Sequence, residues 1–412
     1  MSENCECHID LPEPQGILKA ILDNMNACAW ISQPELAFGA SLALMSVLIG
    51  RKVTFGGMAP NLYVLNLAPS GSGKDNPQKK IKEYLIDING ENLLGSGDYG
   101  SDAGITDSLA NKPVRLDIMD ECNSLFNAKG DNNAKQEDVL SDLWSSSNSY
   151  YLGRALAEGS KGSAYRPNLS ILASTTNSGF TEGISSKSVE KGLLGRNIIF
   201  TGRGNTRAQR LRSLPHLDTT TLNKMRWWYS FQAPENDEVA IRGIKQYVVD
   251  LKADQEAHDK LDEIFKEFDE VRVNSDTSNK LLPVIARQYQ QLIKIVMIHA
   301  CSRADMEIPT INIDDVNFAY LTVRHTFANM ESIIENYVFD NKDERQSMKL
   351  LSLIRKSNDG LTRTDLYRKT RSMKKKVRDE VLQDLVESED IYVEQSTSTD
   401  GRPVTMYKMR NV

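Results

Sequence analysis

The chain has 412 residues, 40% of them apolar and 26% charged, with 56 acidic side chains against 50 basic ones. That length suits two or three domains, and the composition is that of a globular protein. No apolar run approaches the ~20 residues that a membrane-spanning helix needs.

The longest apolar stretch, Ala37–Gly50, is interrupted by Gly39, Ser41 and Ser46 and suits a buried helix. Met1–Asp10 is acidic and lacks the basic and apolar regions of a secretory signal, so a cytoplasmic location is expected. The five cysteines, Cys5, Cys7, Cys28, Cys122 and Cys301, are scattered and odd in number, which fits a reducing compartment. Cys5, Cys7 and His8 are half of a zinc ligand set with no second pair to complete it, so a polar tail is the plainer expectation.

Apolar spacing predicts helices over Pro14–Leu22 and Pro34–Ile49, then a buried strand over Asn61–Leu67. A glycine-rich loop follows, and Pro77–Leu85 reads as a helix with proline in its first turn. Asp102–Ala110 is a helix, Val114–Met119 a strand and Gln136–Trp144 a helix. A hairpin is expected over Tyr150–Tyr165, with further strands at Leu169–Thr175 and Asn197–Thr201. Strands alternating with helices predict an α/β fold with a parallel sheet. From His216 the pattern turns helical, clearest over Ala240–Val273, Pro283–Cys301 and Phe318–Tyr337. A polar linker near Asn341–Glu344 precedes a last module. Four segments result: 1–58 helical, 59–215 a P-loop core, 216–340 a helical lid and 341–412 a C-terminal domain.

Ala68-Pro-Ser-Gly-Ser-Gly-Lys74-Asp75 lies between the apolar strand and a helix, the setting of a phosphate-binding loop. Ser70, Gly71, Ser72 and Gly73 would wrap the phosphates of ATP with backbone N–H groups, and Lys74 would reach the β- and γ-phosphates. Asp75 replaces the Ser or Thr that usually ligates Mg²⁺. A carboxylate can hold that ion directly or through water, but adds negative charge beside the phosphates.

The strand Val114–Met119 ends in Asp120 and Glu121, about 45 residues beyond the loop. Asp120 would hold the Mg²⁺ shell and Glu121 would polarise the attacking water; an acidic helix cap is the bland alternative. The next strand ends Ser174-Thr-Thr-Asn177, and Asn177, or else Thr176, is placed to orient that water. A helix-capping turn is the alternative there. Arg196, after the turn Lys191-Gly-Leu-Leu-Gly, is an arginine-finger candidate acting across a subunit boundary, or else a surface arginine.

The run Asn61-Leu-Tyr-Val-Leu-Asn-Leu-Ala-Pro-Ser-Gly-Ser-Gly-Lys-Asp75 resembles a family of phage and plasmid P-loop ATPases, some of them the helicase halves of primase-helicases. The resemblance covers Pro12 to Tyr337, including Gly100–Gly104 and the helix Arg287–Ala300, which is similar to the family's helical lid. It implies an AAA+/RecA-like core and a hexameric ring serving DNA replication of a phage or mobile element in a bacterial host. Priming would come from a separate chain. The Gly-rich hairpin tip Glu158–Gly162 carries Lys161, and hexameric viral helicases and MCM proteins place a similar tip lysine on DNA; an exposed solubilising lysine is the alternative.

Residues 341–412 hold 16 basic and 12 acidic side chains, a net of +4, whereas the whole chain is −6. Helices at Arg345–Lys356, Arg363–Lys369 and Met373–Glu387, then strands at Ile391–Glu394 and Val404–Lys408, read as a winged helix-turn-helix. Val377, Val381, Leu385 and Val386 are its expected inward residues. The third helix opens with Arg371, Lys374, Lys375, Lys376 and Arg378, a basic end suited to DNA phosphates, although winged helices also dock proteins. A replicative helicase is the first functional expectation. An initiator or helicase loader that binds duplex DNA is the second, and an ATPase regulator of transposition or anti-phage defence the third.

Overall fold

The computed structural model describes residues 9–122, 131–156, 159–184, 189, 191–211, 214–233, 238–241, 244–276, 279–338, 342–355, 357, 360–371, 373–397 and 403–410. Cys5, Cys7 and His8 lie outside them. The chain is mixed α/β and divides into two compact units, Met1–Ile334 and Glu335–Val412. No helix among the described residues is long and apolar enough to cross a membrane.

The first unit is built on a four-stranded parallel sheet of β1 (Tyr63–Leu67), β2 (Val114–Asp120), β3 (Asn168–Thr175) and β4 (Asn197–Thr201), in the order β2-β3-β1-β4. Every residue of β1 and β3 is buried, as expected for strands covered on both faces. Register brings the carboxyl ends level: Asn66 faces Ser174 and Phe200, and Asp120 faces Ser174 from the other side.

The helix Pro34–Leu48 buries thirteen residues, Leu36 through Leu48, which is why its sequence is apolar all round. It lies directly on the sheet. A Cβ on Gly39 would sit 2.5 Å from Phe200, so only glycine permits that approach. The preceding helix runs further than its spacing predicts, over Gly16–Cys28. Segments 1–58, 59–215 and most of 216–340 therefore share one core, with Ile17, Leu42, Val64, Phe200, Ile295 and Val323 in a single apolar cluster.

Three expectations are corrected. Ala240–Val273 is not one helix: Glu238–Ile241 and Ile244–Tyr247 pair antiparallel, and Val249–Asp250 runs parallel to Val53–Thr54. The β-branched run there favours extended backbone, and the helix waits for Asp254, which caps Gln255–Asn274 by accepting from the Ala257 N–H. Pro283–Cys301 is broken into Leu282–Ile285 and Gln288–Arg303. The linker at Asn341–Glu344 is largely helix, because Lys342–Arg355 already begins there.

The second unit has its own core of Leu350, Ile354, Leu366, Val381, Leu385 and Ile391. Its helices are Lys342–Arg355, Arg363–Lys369 and Lys375–Glu387. Ile391–Thr397 and Pro403–Met409 form the expected antiparallel pair, and Leu361–Thr362 adds a third strand on the outer side of Pro403–Met409. Leu382 takes the inward place expected of Val386, which is 37% exposed.

Candidate functional site

The glycine loop leaves the carboxyl end of β1 and enters the helix Asn76–Asp87, which carries proline in its first turn. Gly71 and Gly73 have φ of 74° and 86°, the left-handed region that a side chain disfavours. Gly73 also has no room for one, since a Cβ would lie 2.7 Å from the Ile31 carbonyl oxygen. Among the described residues no acceptor takes the N–H groups of Gly71, Gly73 or Lys74, and the buried Ser72 hydroxyl has no partner. Unpaired donors at the start of a helix are the setting for an anion.

Lys74 is buried, and its ammonium lies 2.6 Å from Glu121 Oε1 and 3.4 Å from Asp120 Oδ1. Burial works against that charge. The hydrogen bond to Glu121 and the two carboxylates outweigh it and hold the amine above its ordinary range. The loop and the two acids are thus brought together across β3, which lies between their strands. Glu121 has a φ of 56°, a strained value for a non-glycine residue.

Asp75 occupies the position before the helix, is exposed, and spends no side-chain hydrogen bond on capping it. Thr176 does cap its helix, accepting from the Gly179 N–H at 3.1 Å, which leaves Asn177 exposed at the first position. β3 therefore delivers Asn177 to the same sheet edge as the loop and the acids.

Three residues that sequence reasoning missed organise this edge. Gln78, on the loop's helix, donates to the Met119 carbonyl at 2.9 Å and to Ser174 Oγ at 2.8 Å, tying that helix to the ends of β2 and β3. Gln33 donates to the carbonyls of Ser72 and Arg203 and accepts from the Arg203 N–H. Trp30 stands 59% exposed beside a recess of about 430 Å³ that Gly71, Gly73 and Asp75 share with Ile31 and Leu214. Two glutamines and an exposed tryptophan carry no motif, so only the fold could find them.

Three predicted contacts are placed differently. Arg196 is 9% exposed at the amino edge of the sheet, just before Asn197, which is level with Tyr63. It donates to the Gly192 carbonyl at 2.8 Å and to Ser145 Oγ at 3.3 Å, so it is neither a projecting finger nor a surface arginine. Burial lowers its pKa, and Arg287 nearby adds to this.

The hairpin exists, with Tyr150–Tyr151 against Ala164–Tyr165 and Arg154–Leu156 against Gly159–Lys161. Residues 157–158, within the expected hairpin, lie outside the described residues. Lys161 pairs with Arg154 at the open end of the inner ladder rather than at the tip, because Gly159 and Ser160 are strand residues. In the second unit Arg371, Lys374, Lys375 and Lys376 are exposed. Arg378 is buried, stacked 3.8 Å from the Tyr367 ring centroid and donating to the Thr370 carbonyl at 2.9 Å, so it holds the unit together instead of facing DNA. Searches against protein-family models and against curated proteins match nothing to this chain.

Proposed function

We propose that the chain is an ATP-hydrolysing P-loop motor on DNA, with an AAA+/RecA-like core and a C-terminal winged helix, and that it works as the ring-forming helicase of a phage or mobile element. The observation that carries the reading is Lys74. A glycine loop with unpaired N–H groups directs this lysine onto Asp120 and Glu121 at the end of a strand two places away. Two strand spacings are roughly 10 Å, a gap suited to a triphosphate and its metal.

Asp75 and Asp120 would supply oxygen ligands to Mg²⁺. Both carboxylates are exposed, and the Lys74 ammonium now sits where positive charge is wanted. Mg²⁺ would supply charge neutralisation at the phosphates. On nucleotide binding Lys74 exchanges the carboxylates for phosphate oxygens, which frees Glu121 to accept a proton from water. Asn177 orients that water, and Gln78 ties the ends of β2 and β3 to the helix that follows the loop. Trp30, Ile31 and Leu214 give the base an apolar seat beside the loop.

Lys74→Ala is expected to abolish ATP turnover and to weaken nucleotide binding sharply. Wild-type-like turnover by that variant would remove the P-loop assignment. The exposed lysines of the second unit favour a second reading, an initiator or loader that grips duplex DNA without unwinding it. Strand displacement on forked DNA separates the two: ATP-dependent unwinding supports the motor, and duplex binding without unwinding supports the switch.

A further inference from the structure

A recess of about 240 Å³ lies among residues that the proposed ATP chemistry leaves unused, and Trp144, Arg287, Gln290 and Lys294 line it. Lys294 is 2% exposed. Its ammonium donates to the Ala59 carbonyl at 3.0 Å and to Asn61 Oδ1, and lies 4.3 Å from the centroid of the Trp144 ring. Arg196 lies against the same indole at 5.8 Å. Arg287 and Gln290 come from the start of the 16-residue helix Gln288–Arg303, where unpaired N–H groups carry partial positive charge.

No carboxylate lines the recess. Asp142, exposed on the same helix as Trp144, is the acid whose charge reaches Arg196. Burial lowers the pKa of both Lys294 and Arg287. Two buried donors, Trp144 Nε1 and Arg196 Nε, have no acceptor among the described residues. A cluster of desolvated cations with unspent donors is costly unless an anion completes it.

We infer that this recess is a second anion site, which takes a phosphate-class dianion against Arg287 and Lys294. Several donors around one cavity match a tetrahedral group with several acceptor oxygens better than a monocarboxylate. Arg196, behind Trp144, is at the amino edge of the sheet, and the glycine loop is at the carboxyl edge. The chain's own loop-bound nucleotide therefore cannot be the source. The anion is either free or part of a nucleotide held by a second copy. The inference does not rest on ATP hydrolysis.

Sulfate is a suitable probe because it does not titrate near neutrality. It is titrated calorimetrically into the full chain carrying Lys74→Ala at pH 7. The expected result is saturable binding of sulfate. Adding Arg287→Ala or Lys294→Met should each weaken that binding at least tenfold. Circular dichroism checks folding. Arg287 is only half-buried, so Arg287→Ala carries the test if Lys294→Met fails to fold. No binding, or binding unchanged by Arg287→Ala, overturns the site.

Sedimentation of the chain with an intact loop distinguishes the sources. ATP-driven self-association that Arg287→Ala removes, with ATP affinity unchanged, identifies a nucleotide on a second copy. Self-association indifferent to ATP, with sulfate binding as expected, identifies a free anion.

Discussion

Glu121 combines backbone strain with proposed chemistry, and the two are separable. A glutamate at a φ of 56° costs about 1–2 kcal/mol relative to a relaxed conformation, and glycine would remove that cost. Both Glu121→Gly and Glu121→Ala lose the Lys74 partner, so ATP hydrolysis is expected to fall to background in each. The glycine variant, relieved of the strain, should have the higher urea midpoint of the two. Glu121→Gln keeps the strain, should retain ATP and should stop cleaving it. Loss of ATP binding in the glutamine variant would make Glu121 a structural residue.

Lys52 shows how elements are joined. Its ammonium donates to the Leu48 carbonyl at the end of the helix Pro34–Leu48, and to Trp228 and Tyr229 at the end of Thr219–Ser230. Both helix ends carry partial negative charge that favours the cation, but burial lowers its pKa to about 7. A lysine in the unfolded chain titrates near 10.4, so between pH 7 and about 10 the unfolded chain holds the extra proton. Stability then rises with pH across that window, by on the order of 2 kcal/mol once the three carbonyl acceptors are allowed for. Urea midpoints at pH 7 and pH 9.5 should show this rise in the wild type and a flatter response in Lys52→Met.

In the C-terminal unit the exposed and buried cations predict different losses. Changing Lys374, Lys375 and Lys376 to alanine should weaken duplex binding and reduce its log–log salt slope by about 0.9 per lost phosphate contact. Arg378→Ala should instead lower the melting temperature of that unit. An unchanged salt slope in the triple variant would mean that this helix docks something other than DNA.

At the scale of the first unit, the residues before the sheet complete the site. Gly73 is seated on the Ile31 carbonyl, Gln33 on the Ser72 carbonyl, and Asn76 donates to the Met25 carbonyl at 3.2 Å. A base beside Trp30 would gain roughly 1–3 kcal/mol by stacking. Trp30→Ala should then weaken ATP binding at least several-fold yet leave competition by inorganic tripolyphosphate unchanged. Equal losses for both ligands would show that Trp30 supports the loop rather than the base.

Local pattern was enough to locate the strand–loop–helix around Lys74, the acidic end of β2 and the short strands and helices of the C-terminal unit. Each follows from rules that act over a few residues: glycine where φ is positive, proline in a first helical turn, apolar period in a strand or helix. Tertiary structure alone decided which strands are neighbours, and so that Lys74 meets Glu121 across β3. It also decided that Arg196 and Arg378 are buried and that Lys161 stands opposite Arg154. Arginine and lysine look alike in sequence whether solvated or stacked on an aromatic ring, because their burial is set by partners such as Trp144 and Tyr367. Those partners lie on other helices, and only folding brings them near.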